Sequence, residues 1–524
     1  MKKRLFAILF MTFSLVFSCT RENVIPDADE PPRLKSITVK AYSLDLPPGE
    51  KAFLQFTLRD KDFVFETNPY SSSFPIEICL EDGSVADFCE IVSLTRESGT
   101  AEYNMCLKNN GRRESFNERV HLSFVSGKGS GKESRVDSES FLLICTGKEL
   151  LVDTGLPVVV VNTENNQAIT SKETYVNAQV YIQGTGKYQD LPLASARIRG
   201  RGNTTWTWPK KPYLIAFDKR QSVFGMPEHK RWVLLANFMD RTLMRNMIAM
   251  HVSSMTSLEW TPGCVPVELV LNGVHKGTYL LIEQVRVDEN RVNITDGYLY
   301  ELDFHYDNEF QWYDHNIPFS VKYPDPEDLT QEQKAEAKEY ISATANAIYG
   351  SNFTDETYGY AKYIDVDSFI DYWIVFEVMC NHELGNPGSV FFHKSKGGKL
   401  IAGPCWDFDW GVLTFITGGD YRLVNGNAIW YSRLFQDPAF KAKVKSRYQQ
   451  LKPQLLSVPD YIDECAKLLE KSAELNFKMW NPADDKSQNG GKIINGDENM
   501  TFSQAVQRLK SNFNKHLSVI DSKL

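Results

Sequence analysis

No two of the nine cysteines stand as C-x-x-C, and their spacings are wide. This argues against a zinc framework, which needs its ligands closely spaced. Positive charge is not in excess either. The 58 Lys and Arg stand against 67 Asp and Glu, for a formal charge of −9. A chain with that balance and no broad basic stripe is not expected to bind nucleic acid, so any anion site must be local. No internal repeat is visible. Beyond residue 18, no apolar run approaches the ~18 residues that mark a membrane-crossing helix. What is present is ordinary globular composition, 42% hydrophobic and 24% charged. At roughly 100–200 residues per domain, the length favours about three folded units.

The N-terminus reads as an export signal. Lys2-Lys3-Arg4 precede the apolar run LFAILFMTFSLVFS (5–18), and Cys19 follows at once. A basic start and a short apolar run ending on a small residue read as a secretory signal peptide. Val16-Phe17-Ser18-Cys19 resembles a bacterial lipobox, with cleavage before Cys19 and lipid on its sulfur. The bland alternative is a secreted chain with a chance cysteine. Loss of residues 1–18 removes three positive charges from −9, leaving −12 on the mature chain. The expectation is an exported protein, lipid-anchored to the bacterial cell envelope. Its remaining cysteines, Cys79, Cys89, Cys106, Cys145, Cys264, Cys380, Cys405 and Cys465, read as buried thiols. Export leaves room for one or two disulfides in the first domain.

Residues 19–33 are polar, acidic and Pro-rich and read as a tether. Residues 34–147 alternate apolar and polar positions between turn clusters such as Pro47-Pro48-Gly49. Short strands so punctuated predict an Ig-like β-sandwich, with no catalytic constellation and a spacer role. A second unit, 150–524, begins with strand-like runs: LPVVVVNT (156–163), YVNAQVYI, PYLIAF, VPVELVLNG and GTYLLIEQV. It then turns helical. Thr330-x-x-Gln333 is a capping box, and Gly350 closes that helix. Asp367 is placed to cap DSFIDYWIVFEVMC. Further helices are expected over 435–475 and 502–523, with SQNGGKIINGDEN (487–499) as a polar surface loop. The fold class is α+β.

Three clusters can carry chemistry. In RIRGRGNTTW followed by PKKPY, a strand over 197–201 puts Arg197, Arg199 and Arg201 on one face. Gly200 and Gly202 leave room for a ligand to approach the backbone. Guanidinium groups suit phosphate; a structural salt-bridge ladder is the alternative. In PCWDFDWG, Asp407 and Asp409 sit in an aromatic stretch. A buried carboxylate pair needs a cation, and oxygen ligands suit Mg2+ or Mn2+; two turn aspartates are the alternative. Upstream lie Glu377, Asn381, His382, Glu383 and Ser389, at the end of a helix and in a Gly/Pro loop. A carboxylate there can accept a hydroxyl proton, or it can be solvated at the helix end. His382 and His393 read as surface or core residues. Asp240, Arg245 and Asn246 read as structural, with Asp240 as a helix N-cap.

RIRGRGNTTW with KKPY, FGMPEHKRWVLLANFMDRTLMRN, LNGVHKGTYLLIE, GYLYELD and WDFDW, in that order, resemble the spore coat protein H (CotH) kinase family over about residues 150–430. The resemblance implies an atypical protein-kinase-like plan, with a β-rich lobe, a helical lobe, and ATP with a divalent metal between them. It places Arg197, Arg199, Arg201, Gly202, Asn203 and Lys211 on the nucleotide phosphates. It puts Asp407 and Asp409 on the metal, with Asp407 also catalytic. Glu383 falls where the family's catalytic-loop Asp is expected, and Ser389 where an Asn would help hold the metal. Phosphoryl transfer depends on positioning, so the longer Glu predicts weakened or lost catalysis as an alternative.

The implied function is phosphoryl transfer from a nucleotide to a hydroxyl, on a protein Ser/Thr or another acceptor. Two rivals stand beside it. One is a catalytically impaired surface protein that binds a partner protein or glycan through exposed Trp206 and Trp208. The other is a metal-dependent hydrolase of phosphorylated polymers.

Overall fold

The computed structural model describes residues 34–41, 43–46, 51–59, 75–97, 100–110, 116–126, 133–145, 151–305, 310–414, 422–484 and 495–524. The signal peptide expected at 1–18, Cys19 and the tether expected at 19–33 lie outside them. The architecture is mixed α+β.

The first unit is a β-sandwich. β1 (Ile37–Val39), β3 (Lys51–Leu58), β6 (Glu102–Asn109) and β5 (Cys89–Arg96) form one sheet in that order. The second runs β2 (Ser43–Asp45), β9 (Phe141–Cys145), β7 (Phe116–Ser126), β4 (Ile76–Leu80), with β8 (Ser134–Asp137) added on β7. In β3, KAFLQFTL alternates so that Ala52, Leu54, Phe56 and Leu58 turn inward. They meet Met105, Leu107, Leu122, Phe124 and Leu143 in one core. That core is apolar, and the described cysteines in it need no bridge. Cys79, Cys89 and Cys106 are free thiols, and the Cys145 side chain is outside the described set.

The second unit opens with a closed barrel of seven strands, in the order β10 (Val158–Thr163), β11 (Val176–Gln183), β12 (Leu191–Gly200), β13 (Tyr213–Gln221), β14 (His229–Leu235), β16 (Val274–Glu283), β15 (Cys264–Leu271). Parallel pairing of β10 with β15 closes it. All six residues of β10 are buried, the four valines as their apolar run predicts, with Asn162 and Thr163 after them. In β12, Ala196 and Ile198 point into the barrel core, while Arg197 and Arg199 line its outer wall.

A second sheet follows, in the order β18 (Gln311–Asp314), β19 (Ile317–Tyr323), β17 (Tyr298–Leu302), β20 (Val390–Lys394), β21 (Ile401–Ala402). Between and after its strands come the helices α3 (Gln331–Tyr349), α4 (Val366–Val378), α6 (Pro438–Leu455), α7 (Val458–Met479) and α8 (Phe502–Lys523). Two single turns, α1 (Thr204–Thr207) and α5 (Tyr431–Leu434), and α2 (Arg245–Ser254) complete the set. None of the described helices is long and apolar enough to cross a membrane.

The capping box at Thr330 and Gln333 is formed, and Gly350 caps the far end of α3. The cap of α4 is Asp365 and not Asp367: its carboxylate accepts Ser368 N at 2.8 Å. Asp367 lies inside the first turn instead, where a negative charge still favours the helix dipole. Likewise α2 starts at Arg245, with Met244 in the cap position. Asp240 sits further back, and its carboxylate accepts Thr242 N and Arg245 N at 2.9 Å each.

His393, in the middle of the second sheet, is 4% exposed and its Nδ1 has no partner. Burial pulls its pKa from 6.5 down to about 4. The unfolded chain therefore takes up this proton first, and stability present above pH 6.5 is lost as pH falls towards 4. The difference corresponds to roughly 3 kcal/mol. In melts from pH 7 to pH 4, a His393→Leu variant should lose correspondingly less stability than wild type; parallel losses would contradict this assignment.

Candidate active site

The second sheet collects the acidic groups by topology. Leu302 of β17 pairs with Val390 of β20, so Asp303, just past one strand, stands beside Ser389, just before the other. β21 runs antiparallel to β20 and delivers the segment 404–411 to the same end. Phe304 N donates to Pro387 O at 3.0 Å, tying the two loops together.

Asp407 has φ +63, so the chain turns there. The two carboxyls still meet, hydrogen-bonded to each other. Burial raises the pKa of Asp407, and the Arg201 guanidinium opposes that rise. Burial first, then the Asp407 charge, raises Asp409 well above the usual carboxylate range. Glu383 is raised well above it too, by burial and then by Asp407, Asp409 and Asp303. Its Oε2 is buried with no hydrogen-bond partner. It lies against the loop carrying Ser389, since a Cβ at Gly388 would fall 3.8 Å from Glu383 Oε1.

From the barrel comes Arg201, one residue past β12. Its guanidinium lies 5.5 Å from the Trp406 ring centroid and in the field of Asp407, Asp409 and Glu301. The glycine-flanked basic stretch and the acidic couplet thus share one site at Arg201. Arg197 and Arg199 lie elsewhere on the wall, stacked at 5.3 and 5.2 Å on Tyr175. Lys211 folds back: Nζ donates to Trp206 O at 2.8 Å and lies over that ring. Asn203 Oδ1 accepts Lys172 Nζ at 3.0 Å.

The glycines serve packing. A Cβ at Gly200 would fall 2.3 to 2.7 Å from three atoms of the Trp206 ring. Gly202 has φ +83, and its Cβ would meet Thr205 Oγ1 at 2.0 Å. Gly200→Ala should displace Trp206, destabilise the fold by about 1–3 kcal/mol and shift tryptophan emission. An unchanged spectrum and melt would refute the contact. Trp208 is not exposed but 3% accessible, stacked on Trp410 at 6.0 Å between ring centroids. The half-exposed Trp410 takes the surface place expected of Trp208.

Two side-chain amides hold the acidic loop: Asn246, read as structural from the sequence, and Asn495, which the sequence had not singled out. Asn246 Oδ1 accepts Phe408 N at 2.8 Å, between the two aspartates. Asn495 accepts Gly411 N at 3.0 Å and donates to Asp409 O at 3.0 Å. Asn495 and Asp497 are buried, although they fall in a stretch expected to be a surface loop; residues 487–494 of it lie outside the described set. The Asn-Gly-Asp pattern mimics an ordinary turn and gave no warning. Asp303 was missed as well; its signal was a carboxylate closing the run GYLYELD. Glu377, in contrast, is structural. It accepts Val424 N and Asn425 N at 2.9 and 2.8 Å and faces His516 Nε2 at 3.0 Å. Next to Lys211, the buried Lys210 donates from Nζ to Ala236 O and Asn476 Oδ1, each at 2.8 Å, and to Thr278 O. Burial lowers its pKa to about 7. Three acceptors match the three hydrogens of an ammonium, so Lys210 pins α7 to the barrel.

The donor set suits a divalent cation: two linked, buried carboxyls that repel when ionised, with a third carboxylate oxygen unpartnered nearby. Among the described residues no three His, Cys, Asp or Glu converge on one metal position. A cation here would have two carboxylates and would complete its shell from a phosphate chain and water, as Mg2+ commonly does.

The site thus joins an arginine from the end of a barrel strand to two buried, mutually bonded carboxyls. A family model described as CotH kinase protein matches residues 198–520, more than half of the chain, and the chain belongs to the CotH kinase family. No curated protein matches it.

Proposed function

We propose that this chain is an envelope-tethered CotH-type phosphotransferase, moving the terminal phosphoryl group of ATP to a hydroxyl, that of a protein serine or threonine. The observation that carries the reading is Arg201 over Trp406, in the field of Asp407 and Asp409. In this reading the barrel and the helical part act as the two lobes of a kinase-like plan, with the cleft at Arg201. Lipidation of Cys19 supplies the tether.

Arg201 neutralises phosphate charge; Lys211, released from Trp206, can add to it. Asp407 and Asp409 would hold Mg2+ or Mn2+, with Ser389 as a further ligand. A metal so held supplies charge neutralisation at the transferred group. Glu383 orients the acceptor hydroxyl and takes its proton, as its unpartnered, buried Oε2 allows. The acceptor oxygen forms a bond to phosphorus while the bridging P–O bond breaks and the nucleoside diphosphate leaves.

Two observations favour a second reading, a partner- or glycan-binding surface protein without transfer. Glu383 and Ser389 stand where the resemblance implies Asp and Asn, and among the described residues two linked carboxyls would serve a metal. Labelled ATP with Mn2+ separates the readings. Label incorporated into protein and lost in Asp407→Asn supports transfer. Release of free phosphate alone points to a hydrolase, and no turnover with intact folding points to the binding protein.

A further inference from the structure

Arg197 and Arg199 belong to a second basic cluster, centred on Tyr175. Both guanidiniums stack on its ring, and Arg231 Nη1 donates to its hydroxyl at 2.7 Å. Arg286 lies in the field of Arg231 and Arg199, and its pKa is lowered, chiefly by burial. Strand register explains the grouping. Arg197 of β12 pairs with Ala216 of β13, and Ala216 with Arg231 of β14. One row across the outer wall thus reads arginine, methyl, arginine: a shallow floor between two cationic sides.

The neighbouring arginines are neutralised internally. Arg220 pairs with Asp288, Arg245 with Asp240 and Asp497, and Arg291 with Glu283. Among the described residues, no carboxylate lies within ion-pair distance of Arg197, Arg199, Arg231 or Arg286; only the more distant Asp325 offsets Arg286. Four guanidiniums gathered without a counter-charge, in a chain of net charge −9, are matched to an oxyanion from outside. Arg199 links the cluster electrostatically to Arg201 at the acidic couplet. From Arg201, just past the end of β12, back to Arg197 is four residues, about 13 Å at strand spacing. That span equals about four residues of an extended peptide. A donor's phosphate chain held at Arg201 does not need a second cluster so far along; a chain-like acceptor with spaced anions does.

We propose that Arg197, Arg199, Arg231 and Arg286 bind an anionic side chain of a polypeptide acceptor, a carboxylate or a phosphoserine, about four residues from the hydroxyl that takes phosphate at the Arg201 site. The inference rests on the phosphotransfer reading for the position of that hydroxyl. The cluster itself is tested by binding alone.

The experiment uses the full chain and fluorescein-labelled serine peptides in a neutral background. They carry an Asp pair or a phosphoserine two, four or six residues from the serine, and anisotropy is read at two salt concentrations. The offset-four peptides should bind at least tenfold more tightly than the neutral peptide, more weakly at higher salt. Arg197→Ala should remove most of that advantage and Arg197→Glu all of it. The position is exposed, so both variants should fold. Comparing the Asp and phosphoserine peptides shows which oxyanion is preferred. No advantage for anionic peptides, or one unchanged in both variants, overturns the proposal. So does a fall in ATP affinity in place of peptide affinity, which would give the cluster to the donor. Preference for anionic vesicles or a sulfated polysaccharide over every peptide overturns it too. A chain that binds the offset-four peptides but transfers no phosphate would sink the catalytic reading and leave this one standing.

Discussion

Asp407→Asn should weaken Mn2+-dependent ATP binding at least about a hundredfold, close to 3 kcal/mol. The substitution is chosen for the backbone. Asp407 has φ +63, and Asn is among the few residues that adopt this region readily, so the turn should survive. Its amide can keep a hydrogen bond to Asp409. What it removes is one of the two negative charges available to a divalent cation. Calorimetric titration with ATP plus Mn2+, and with ATP alone, is the measurement. The expected result is loss of the metal-dependent part. Unchanged affinity in a variant that melts like wild type would defeat the assignment of Asp407, and with it the proposed transfer.

The largest stability effect is expected at Arg245, which is 1% exposed. Its guanidinium bonds Asp240, donates to Asp497 Oδ2 at 3.0 Å, and donates from Nε to Val412 O at 2.9 Å. One side chain thus joins the start of α2, the residues before α8 and the end of the acidic loop. Removing it leaves two buried carboxylates without their cation, a loss of about 3–5 kcal/mol. For a unit of this size that is a melting shift of about 4–6 °C. Arg245→Lys should recover only part of it, because an ammonium cannot present the same planar fork to partners on three sides. A melt of Arg245→Ala within a degree or two of wild type would show that the network is dispensable. Because Val412 O anchors the acidic loop, nucleotide affinity should fall with stability in Arg245→Ala. In Asp407→Asn the two should separate.

Much of the fold was legible because local patterns carried it. The unbroken apolar run of β10, the alternation in β3 and the reciprocal cap at Thr330 are short-range signals, and each appears where its pattern placed it. Barrel closure was not legible, since it depends on the parallel pairing of β10 with β15 across more than a hundred residues. The caps at Asp365 and Met244 departed by small shifts, because several nearby aspartates could serve and only backbone geometry chooses among them.

The candidate site divides in the same way. The chemical inventory came from the chain itself: WDFDW, a carboxylate and a serine in the loop before β20, and a run of arginines flanked by glycine. So did the likeness to CotH kinases, which rests on ordered motifs. Tertiary structure decided which members of that inventory meet. It brought Arg201 to Trp406, sent Arg197 and Arg199 to Tyr175, added Asp303 beside Ser389, and buried Asn495 and Asp497 as supports for the acidic loop. The physical reason is that charge and residue type are properties of a position. Burial, register and the approach of two distant loops belong to the packed whole, and in this protein they raise the pKa values of Asp407, Asp409 and Glu383.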